Sequence, residues 1–385
     1  MHFFIPGTHP ELSKAEIRAL DPSVSFSVAT DHILVGEFSH PFGETCNASA
    51  GIVKAGVVFG SVETYDKATI ASILAATIEP KEGKHYIGVS VYDGGGAAFK
   101  EIRQDGSRLG LELKSLLQER GQSVRLVTSH EQTLSAVVVQ KNHLLERGAE
   151  FVLIVTPDNI LLGETTFVQD FEAWGHRDYG RPARDAKSGM LPPKLARLMI
   201  NLTGLDPRSS ALWDPFCGSG TILMEASLLG WKHVVGSDLS EKAVHDTKKN
   251  LRWALGESVP DVFVHDATTP LHEPRVFDAM VWEGALGKPK MKRGVDQKEV
   301  QQLTDLYTRA FQNLPQYLTG DGVMVCAIPF FPGKTNRFLN ITLPQSLVIS
   351  PFGDHPSRNM SPRGGLLYMR PHQFVGREIV RMHKV

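Results

Sequence analysis

The sequence has few cysteines, and their arrangement could hold neither a metal ion nor a disulfide framework. Cys46, Cys217 and Cys326 are far apart in the 385-residue chain, whereas zinc sites and disulfide-rich domains place cysteines at short, repeated spacings. The histidines likewise show no paired ligand spacing, so we expect no metal site. Three isolated thiols indicate a reducing, intracellular environment.

Excess charge and long apolar runs are also missing. The formal net charge is −1, so the chain as a whole has no general attraction to nucleic acid, and any such partner must meet a local basic patch. No apolar run approaches the length of a membrane span. The segment that begins at Met1 lacks the basic flank and apolar core of a secretory signal. We therefore expect a cytoplasmic protein without a membrane partner.

The distribution of apolar residues predicts two structured parts separated by a linker. Residues 1–165 mix short apolar segments with helix-spaced ones, which favours an N-terminal α+β region. The predicted strands include 52–59, 85–92, 124–127, 136–139 and 151–155, and the predicted helices include 10–20, 65–77 and 102–119. Residues 166–188 are rich in glycine, proline and charge, and we expect them to form a linker.

Residues 189–385 alternate short apolar strands with helices. The predicted strands are 211–213, 233–236, 262–264, 279–282 and 323–328, and the predicted helices are 221–229, 241–255 and 297–318. This alternation predicts a Rossmann-like α/β domain with a mostly parallel, doubly wound sheet. Further apolar stretches at 347–350 and 366–370 have no strongly periodic segment between them, so we expect an antiparallel strand pair to close the sheet.

The central motif is Asp214-Pro215-Phe216-Cys217-Gly218-Ser219-Gly220-Thr221, which predicts a strand end, a glycine turn and a helix start. Glycines allow backbone conformations and a close ligand approach that a Cβ would block, and the first N–H groups of the helix lack intrahelical partners. A dinucleotide site would have a third glycine where this chain has Leu223, and a P-loop would have a lysine where Thr221 and Ile222 stand. Both phosphate-binding alternatives are therefore disfavoured.

Acidic residues follow four successive predicted strands. They are Asp214, Asp238, Asp266 and Glu283. Because ligands of open α/β sheets bind beyond the carboxyl ends of the strands, these acids are candidates for one site. Asp238 lies about twenty residues after the glycines, where a carboxylate can accept hydrogen bonds from ribose hydroxyls. The set suits S-adenosylmethionine, which carries hydroxyls, an amine and an adenine amino group, although acids that merely cap helices and turns are the alternative.

Other candidate features have simpler alternatives. Residues 174–200 contain six basic and two acidic residues, and residues 353–385 have the same balance. Each segment is interpreted either as solvated surface or as a surface that contacts phosphates. Gly94-Gly95-Gly96 favours a mobile loop over a phosphate cradle, because no lysine followed by serine or threonine comes after it. Cys217 is expected to be a small buried thiol and not a nucleophile.

The motif at 214–221 resembles the cofactor motif of S-adenosylmethionine-dependent RNA methylases that carry an N-terminal THUMP domain. Within these, the chain most resembles the tRNA guanine-10 N2-methyltransferase type. The resemblance covers most of the chain and includes residues 4–13, 85–155, 189–196 and 370–378. Residues 85–155 look like the THUMP domain, within an N-terminal α+β, ferredoxin-like region that binds RNA, and 370–378 look like the family's closing strand.

The resemblance implies roles for individual residues. The methionine end of the cofactor would be lined by Phe216, Gly218, Gly220 and Thr221, with Asp214 nearby. Asp238 would hold the ribose, and Asp266, next to Ala267, would hold the adenine amino group. Met190 belongs to the segment that lies against the cofactor in this family.

The segment after the fourth strand departs from the family pattern. Amino-methylating relatives place Asp or Asn there, followed by Pro-Pro-Tyr or Pro-Pro-Phe, whereas this chain has Glu283-Gly284-Ala285-Leu286. Glu283 is implied to be the catalytic acceptor of the target amine, but both prolines and the aromatic residue that stacks on the base are missing.

The resemblance implies N2-methylation of a guanosine in tRNA, with tRNA or another structured RNA as partner and a small activating protein subunit as a further expected partner. Two alternatives stay open. One is an N-methyltransferase that acts on another nucleic acid or another amine. The other is a cofactor-binding, RNA-binding protein with weakened or lost catalysis, which the altered segment at 283–286 allows.

Overall fold

The computed structural model describes residues 1–80, 83–131, 133–184, 190–273, 275–287, 296–352, 359–371 and 373–385. These residues form two compact units, Met1–Phe171 and Glu172–Val385. Across these ranges, every helix is too short or too polar to cross a bilayer.

The first unit, Met1–Phe171, is an α+β region built on a mixed sheet. Its elements are β1 (His2–Pro6), α1 (Pro10–Leu20), β2 (Ser25–Ala29), β3 (Leu34–Glu37), α2 (Phe42–Ala48), β4 (Ile52–Val62), α3 (Lys67–Thr77), β5 (Lys84–Asp93), α4 (Phe99–Glu119), β6 (Ser123–Leu126), α5 (Ala136–Lys141), α6 (Leu144–Arg147), β7 (Gly148–Val155) and β8 (Ile160–Val168). The strands pair in the order β2-β3-β1-β4-β8-β7-β5-β6. β5 runs parallel to β6 and β7, and the other pairs are antiparallel.

Apolar side chains that recur at helical spacing hold α3 and α4 to this sheet. Leu109 and Leu113 of α4 and Ile70 of α3 are fully buried with Phe151 of β7 in one cluster. This spacing is the signal that predicted both helices from the sequence.

A buried acid, Asp21, holds two loop segments of the first unit in place. The carboxylate of Asp21 accepts hydrogen bonds from the backbone N–H of Ser23, Ser39 and His40 and from both serine hydroxyls. Burial alone would raise the pKa of Asp21, but these donors outweigh burial and bring the pKa well below its usual range. The ionised carboxylate is therefore part of the folded structure.

Two predictions in the first unit were wrong. Residues 136–139 form the start of helix α5 and not a strand, because the Ser135 hydroxyl caps the helix by accepting a bond from the N–H of Val138 and because Val139 packs into a small apolar cluster. The glycines at 94–96 serve close packing: the N–H groups of Gly94 and Gly96 both donate to the carbonyl of Val155, at 2.9 and 3.0 Å. A Cβ on Gly96 would lie 2.3 Å from a backbone oxygen.

The second unit contains the expected Rossmann-like sheet. Its elements are α7 (Phe171–Tyr179), α8 (Pro193–Asn201), β9 (Ala211–Asp214), α9 (Thr221–Leu228), β10 (His233–Asp238), α10 (Glu241–Leu255), β11 (Asp261–Val264), β12 (Phe277–Glu283), α11 (Gln297–Asn313), a 3-10 turn (Leu314–Tyr317), β13 (Leu318–Phe331), β14 (Arg337–Phe338), β15 (Leu347–Ile349), β16 (Leu366–Tyr368) and β17 (Gly376–Lys384). The order is β11-β10-β9-β12-β13-β17-β15, and β9 to β13 are parallel.

The chain leaves β9 towards β10 on one side and reaches β12 on the other, so the strand order reverses between β9 and β12. A crevice opens at such a switch point, beyond the carboxyl ends of the strands. The predicted ligand site therefore lies where the glycine turn and the strand-end acids meet.

The closing strands differ from the expectation. β15 and β16 do not pair with each other; both pair antiparallel with β17, which also pairs with β13. The predicted closing segment at 370–378 overlaps β17 only from Gly376 onwards. β17 has no continuous apolar run because Arg377 and Glu378 are buried in it as members of ion pairs, and this hides the strand in the sequence.

Residues 166–188, expected to be a linker, contain the end of β8 and helix α7 as far as the structure describes them; residues 185–189 lie outside the described residues. Trp174 of α7 is buried, and Arg181 is only 3% exposed. Charge and glycine suggested a solvated segment, but Arg177 and Arg181 are engaged within the second unit, as described below.

Candidate functional site

A cavity of about 460 Å³ lies at the carboxyl ends of β9, β10 and β12 in the second unit. Of the residues predicted to bind a cofactor, those that line it are Met190, Asp214, Phe216, Gly218, Thr221, Asp238, Asp266 and Ala267. Glu283, the predicted catalytic residue, lines it as well. Gly220 is not part of the lining, so any role that it has in the site is exerted through the backbone.

The glycine turn adopts a conformation that only glycines take easily. Gly218 and Gly220 have φ angles of +54° and +83°, in the left-handed region that a Cβ disfavours. A Cβ on Gly220 would also lie 2.8 Å from the methyl carbon of Thr247. Gly220 therefore shapes the turn so that α9 begins at Thr221.

The amides of the turn are used within the protein. The N–H of Gly218 donates to the Asp238 carboxylate at 3.0 Å, that of Cys217 donates to the Ser237 carbonyl, and that of Gly220 donates to the Cys217 carbonyl. A phosphate cradle needs such groups free to point at the ligand. This geometry agrees with the sequence, which also argues against a phosphate ligand.

The missing third glycine is replaced by a glycine on the neighbouring strand. In dinucleotide-binding turns the third glycine lets helix and strand pack closely. Here the helix carries Leu223, which is fully buried, and the strand β10 carries Gly236; a Cβ on Gly236 would lie 2.3 Å from a methyl carbon of Leu223. The large and the small residue have exchanged places across one contact.

The strand-end acids have different environments. Asp238 accepts bonds from Gly218 and Ser240, and Asp266 accepts two bonds from Thr268. Burial raises the pKa of Asp266, but the bonds from Thr268 outweigh burial and bring it below its usual value. Both acids thus cap turns, as the alternative interpretation expected, and both also line the cavity.

Asp214 is buried more deeply, with 1% of its surface exposed, and accepts one bond from the N–H of Phe216 at 3.0 Å. Burial raises its pKa well above the usual range, and the nearby carboxylates of Asp238 and Glu283 raise it further. The inner wall of the cavity is therefore lined by carboxyl groups, whose oxygens can accept hydrogen bonds from a ligand.

A stack of aromatic rings supports the floor of the cavity. Phe216 stacks on Trp282 at 4.9 Å between ring centroids, and Trp282 stacks on Tyr307 at 5.4 Å. A Cβ on Gly284 would lie 2.8 Å from the Tyr307 hydroxyl, so the glycine after Glu283 fits against this ring. Tyr307 could not be identified from the sequence because its helical spacing in α11 marks it only as a core residue.

Glu283, at the end of β12, forms an ion pair with Arg377 of β17. The Nε–H of Arg377 donates to Oε1 of Glu283, and one terminal nitrogen lies 3.3 Å from Oε2. Burial raises the pKa of Glu283, and the adjacent guanidinium partly offsets this rise. Arg377 could not be recognised from the sequence as the partner of Glu283, because the two residues are 94 positions apart.

Three arginines of the basic segment at 174–200 are engaged within the second unit, whereas Arg184 is exposed. Glu225 of α9 is fully buried, and its two carboxylate oxygens accept bonds from Arg177 and Arg197 at 2.7 and 2.9 Å. Both guanidinium groups lie over the Trp174 ring, at 4.2 and 4.8 Å from its centroid. Arg181 donates to the Thr221 hydroxyl at 2.7 Å. These cations hold α7 and α8 against α9; Lys187 lies outside the described residues.

The basic segment at 353–385 is also largely engaged within the protein, which argues against a phosphate-binding rim built from these side chains. Arg377 is paired with Glu283, and Arg363 with Glu378 at 2.9 Å. Arg370 donates to the Tyr368 hydroxyl, Lys384 donates to the carbonyl of Leu318, and Arg381 lies over the Phe352 ring. Arg358 is not among the described residues.

Cys217 has the environment expected of a structural thiol. It is 4% exposed, and its sulfur lies 3.8 Å from the Thr247 hydroxyl. Burial raises the pKa of the thiol far above its usual value. A neutral thiol without an adjacent base does not act as a nucleophile.

Comparisons with known proteins find similarity to methyltransferases in the second unit. Residues 181–330 match the family described as "RMKL-like, methyltransferase domain". The chain is 29% identical over 182 residues to the tRNA (guanine(10)-N2)-dimethyltransferase of Methanocaldococcus jannaschii, covering 44% of this chain and 48% of that protein. It is 34% identical over 130 residues to the Pyrococcus abyssi enzyme of the same name, covering 34% of this chain and 36% of that protein. The chain thus spans at most about half the length of these curated relatives.

A solved structure supports the fold over the full length. The crystal structure of TrmN from Thermus thermophilus matches with a TM-score of 0.57 and 17% identity, and the match covers 100% of both chains. At this identity the likeness concerns the fold alone. Together with the family match over residues 181–330, it shows that the second unit has the Rossmann-like methyltransferase fold.

Proposed function

We propose that this chain transfers a methyl group from S-adenosylmethionine to the exocyclic N2 amine of a guanosine in tRNA. The convergence of Asp214, Asp238, Asp266 and Glu283 on one cavity, inside a methyltransferase domain, carries this proposal. The names of the two archaeal relatives support guanosine in tRNA as the target.

The residues of the cavity fit S-adenosylmethionine better than they fit a phosphate-bearing ligand. Three amides of the glycine turn already have acceptors within the protein, and the inner wall presents carboxylates. The ligand's ammonium, sulfonium, ribose hydroxyls and adenine amino group are the partners that such a wall attracts. When bound, S-adenosylmethionine supplies an electrophilic methyl group on a positively charged sulfur.

Each lining residue has a defined task in this proposal. Asp238 accepts bonds from the ribose hydroxyls, and Asp266, with Ala267 beside it, receives the adenine amino group. Phe216 and Thr221 bound the methionine end above the buried Asp214. Met190 covers the cofactor from the segment that precedes α8.

Glu283 orients the target amine. An exocyclic amine on guanine is a poor nucleophile because its lone pair is delocalised into the ring. Glu283 accepts one N–H of this amine, so that the lone pair points at the methyl carbon, and stabilises the positive charge that develops on the nitrogen. Positioning and electrostatic stabilisation of this kind supply much of the rate in such reactions.

In this proposal, the first unit binds the tRNA. Its α+β fold is consistent with a ferredoxin-like region and a THUMP domain at 85–155, which would recognise RNA by shape and phosphates while the target base is splayed out of its stack. Action on tRNA fits a cytoplasmic location. A small activating protein subunit belongs to the same proposal as a second partner.

The ion pair of Glu283 with Arg377 favours a second candidate, a protein that binds cofactor and RNA without transferring a methyl group. In that case the guanidinium would occupy the carboxylate permanently and leave no acceptor for the amine.

Labelled methyl transfer separates the two candidates. The purified chain is incubated with tRNA and methyl-labelled S-adenosylmethionine, and nucleosides are identified by mass spectrometry. The proposal expects N2-methylguanosine with the wild type, a large loss with Glu283→Ala, and normal transfer with Glu257→Ala, which removes an exposed acid of the same unit. Binding of S-adenosylhomocysteine and tRNA without transfer would favour the second candidate, and transfer to another base would contradict the proposed target.

A further inference from the structure

We propose that Arg377 is a positioning residue, which fixes the Glu283 carboxylate at the cavity wall as a charged acceptor for the target amine. This inference rests on the proposed function. It assigns to the closing strand β17 a part in the reaction, in addition to its place in the sheet.

The register of the sheet brings the two side chains together. Glu283 is opposite Ala327 of β13, and Arg377 is opposite Pro329 of the same strand. Residues two apart on a strand face the same side of the sheet, so Glu283 and Arg377 project over one face of β13. The small side chain of Ala327 leaves room for the guanidinium to reach across.

The pair is held in a fixed arrangement. Arg377 is 2% exposed, and the Glu283 side chain is 10% exposed. Two nitrogens of the guanidinium contact the two carboxylate oxygens, and this planar, two-point contact restricts rotation of the carboxylate. Without this contact, the glutamate side chain would lose more conformational freedom when the substrate binds.

The carboxylate keeps acceptor capacity when it is paired. An ionised carboxylate offers about four lone-pair sites, and the contacts of Arg377 use one on each oxygen. The remaining sites of Glu283, which lines the cavity, can accept N–H from an amine. The ion pair with Arg377 therefore leaves Glu283 able to accept a hydrogen bond from the target amine.

Arg377 also supplies the positive charge that opposes protonation of Glu283. The titratable groups that act on Glu283 from the neighbouring elements are Arg377 of β17, Asp214 of β9 and Tyr307 of α11. Asp214 and the buried phenol of Tyr307 offer no positive charge, and burial itself raises the pKa of Glu283. Without Arg377, the pKa of Glu283 would rise further, which favours the protonated form, whose proton blocks an acceptor site.

The test compares variants of Arg377 with a variant at a similar ion pair. Arg377→Met removes the charge and the two-point contact, and Arg377→Lys keeps the charge alone. Arg363→Met removes the arginine from the pair with Glu378, a buried acid of the same strand whose side chain does not line the cavity. Folding is checked by circular dichroism, and cofactor binding by titration with S-adenosylhomocysteine.

We expect Arg377→Met to lower kcat for tRNA methylation by about a hundredfold, since small misplacements of a reacting group have effects of this size. Binding of S-adenosylhomocysteine should be unchanged. The acidic limb of the pH profile should move to higher pH, because the desolvated carboxylate has lost its cation. Arg377→Lys should restore part of kcat and most of the pH profile, and Arg363→Met should leave both near the wild type.

The outcomes distinguish this inference from the proposed function. A wild-type chain that binds S-adenosylhomocysteine but methylates no tRNA would refute the proposed function, and the inference with it. An active wild type with an equally active Arg377→Met variant would refute the inference alone. Equal effects of Arg377→Met and Arg363→Met on kcat, without a shift of the pH profile, would assign Arg377 a purely structural role. If Arg377→Met does not fold, kcat of Arg377→Lys decides: a lowered kcat with unchanged binding of S-adenosylhomocysteine supports the inference, and a wild-type kcat refutes it.

Discussion

Replacing Glu225 by glutamine should strongly destabilise the second unit, because Glu225 neutralises two buried arginines. Its oxygens accept bonds from Arg177 and Arg197 at 2.7 and 2.9 Å, and its own side chain is fully buried. Glutamine preserves the shape of the side chain but removes the negative charge that both guanidinium groups contact.

The expected magnitude follows from this burial. Removing one member of a buried ion pair costs about 3–5 kcal/mol of unfolding free energy, because the partner charge stays buried. The side chains of Arg177 and Arg197 are 16% and 10% exposed, so water can partly hydrate them, and we expect about 3 kcal/mol. Replacing all three charged residues by methionine should recover most of this loss, because apolar side chains can pack against the Trp174 ring.

Urea unfolding followed by tryptophan fluorescence measures this effect selectively. All five tryptophans of the chain lie between positions 174 and 282, so the signal reports on the second unit alone. A change of less than about 1 kcal/mol in Glu225→Gln would be too small for a broken buried pair and would refute the reasoning. Arginine variants that reduce the salt dependence of tRNA binding without a loss of stability would instead support a phosphate-binding surface.

Three further predictions concern packing, pH and thiol reactivity. Gly236→Ala should lower the unfolding free energy by about 1–3 kcal/mol through overpacking against Leu223, and Leu223→Val should restore part of it; equal stability of Gly236→Ala and wild type in urea would contradict the packing. Because the pKa of Asp21 is lowered on folding, its contribution to the stability of the first unit is present above about pH 4 and is lost as the pH falls below it. In an acid titration followed by circular dichroism, the signal of Asp21→Asn should therefore depend less on pH than that of the wild type. Identical pH dependence of the two proteins would rule out this linkage. Cys217 should react with iodoacetamide only after denaturation; modification of the native protein, located by peptide mass spectrometry, would show that the thiol is accessible.

The sequence predicts those parts of the site that depend on local pattern. The strand-end acids and the glycine turn were identified because short apolar strands, acids directly after them and glycines at a strand-to-helix junction are recognisable within a few residues. The conformations of Gly218 and Gly220 confirm this reasoning, since both have positive φ angles. The arrangement of β9 to β13 follows from the alternation of strands and helices.

Contacts between distant residues could not be predicted in the same way. Glu225 is 48 and 28 positions from its two arginines, and Glu283 is 94 positions from Arg377. A basic residue has the same appearance in a sequence whether it is solvated, bound to phosphate or buried beside an acid. Composition alone therefore could not predict that Arg177, Arg181 and Arg197 are engaged within the second unit.

Local propensity also failed where packing or capping decided the outcome. The valines at 137–139 favour a strand by propensity, but the cap at Ser135 and the burial of Val139 select a helix. The apolar pattern did not reveal β17, of which the resemblance placed only the first residues in a closing strand, because the ion pairs of its charged residues lie inside the sheet. Propensity is a weak prior when tertiary contacts supply more free energy than the local preference.

The most direct test of the central claim is mass spectrometry of tRNA nucleosides from cells with and without the gene. The account predicts that an N2-methylated guanosine disappears when the gene is deleted, returns with the wild-type chain, and does not return with Glu283→Ala. An unchanged nucleoside profile after deletion, or full recovery with Glu283→Ala, would contradict it.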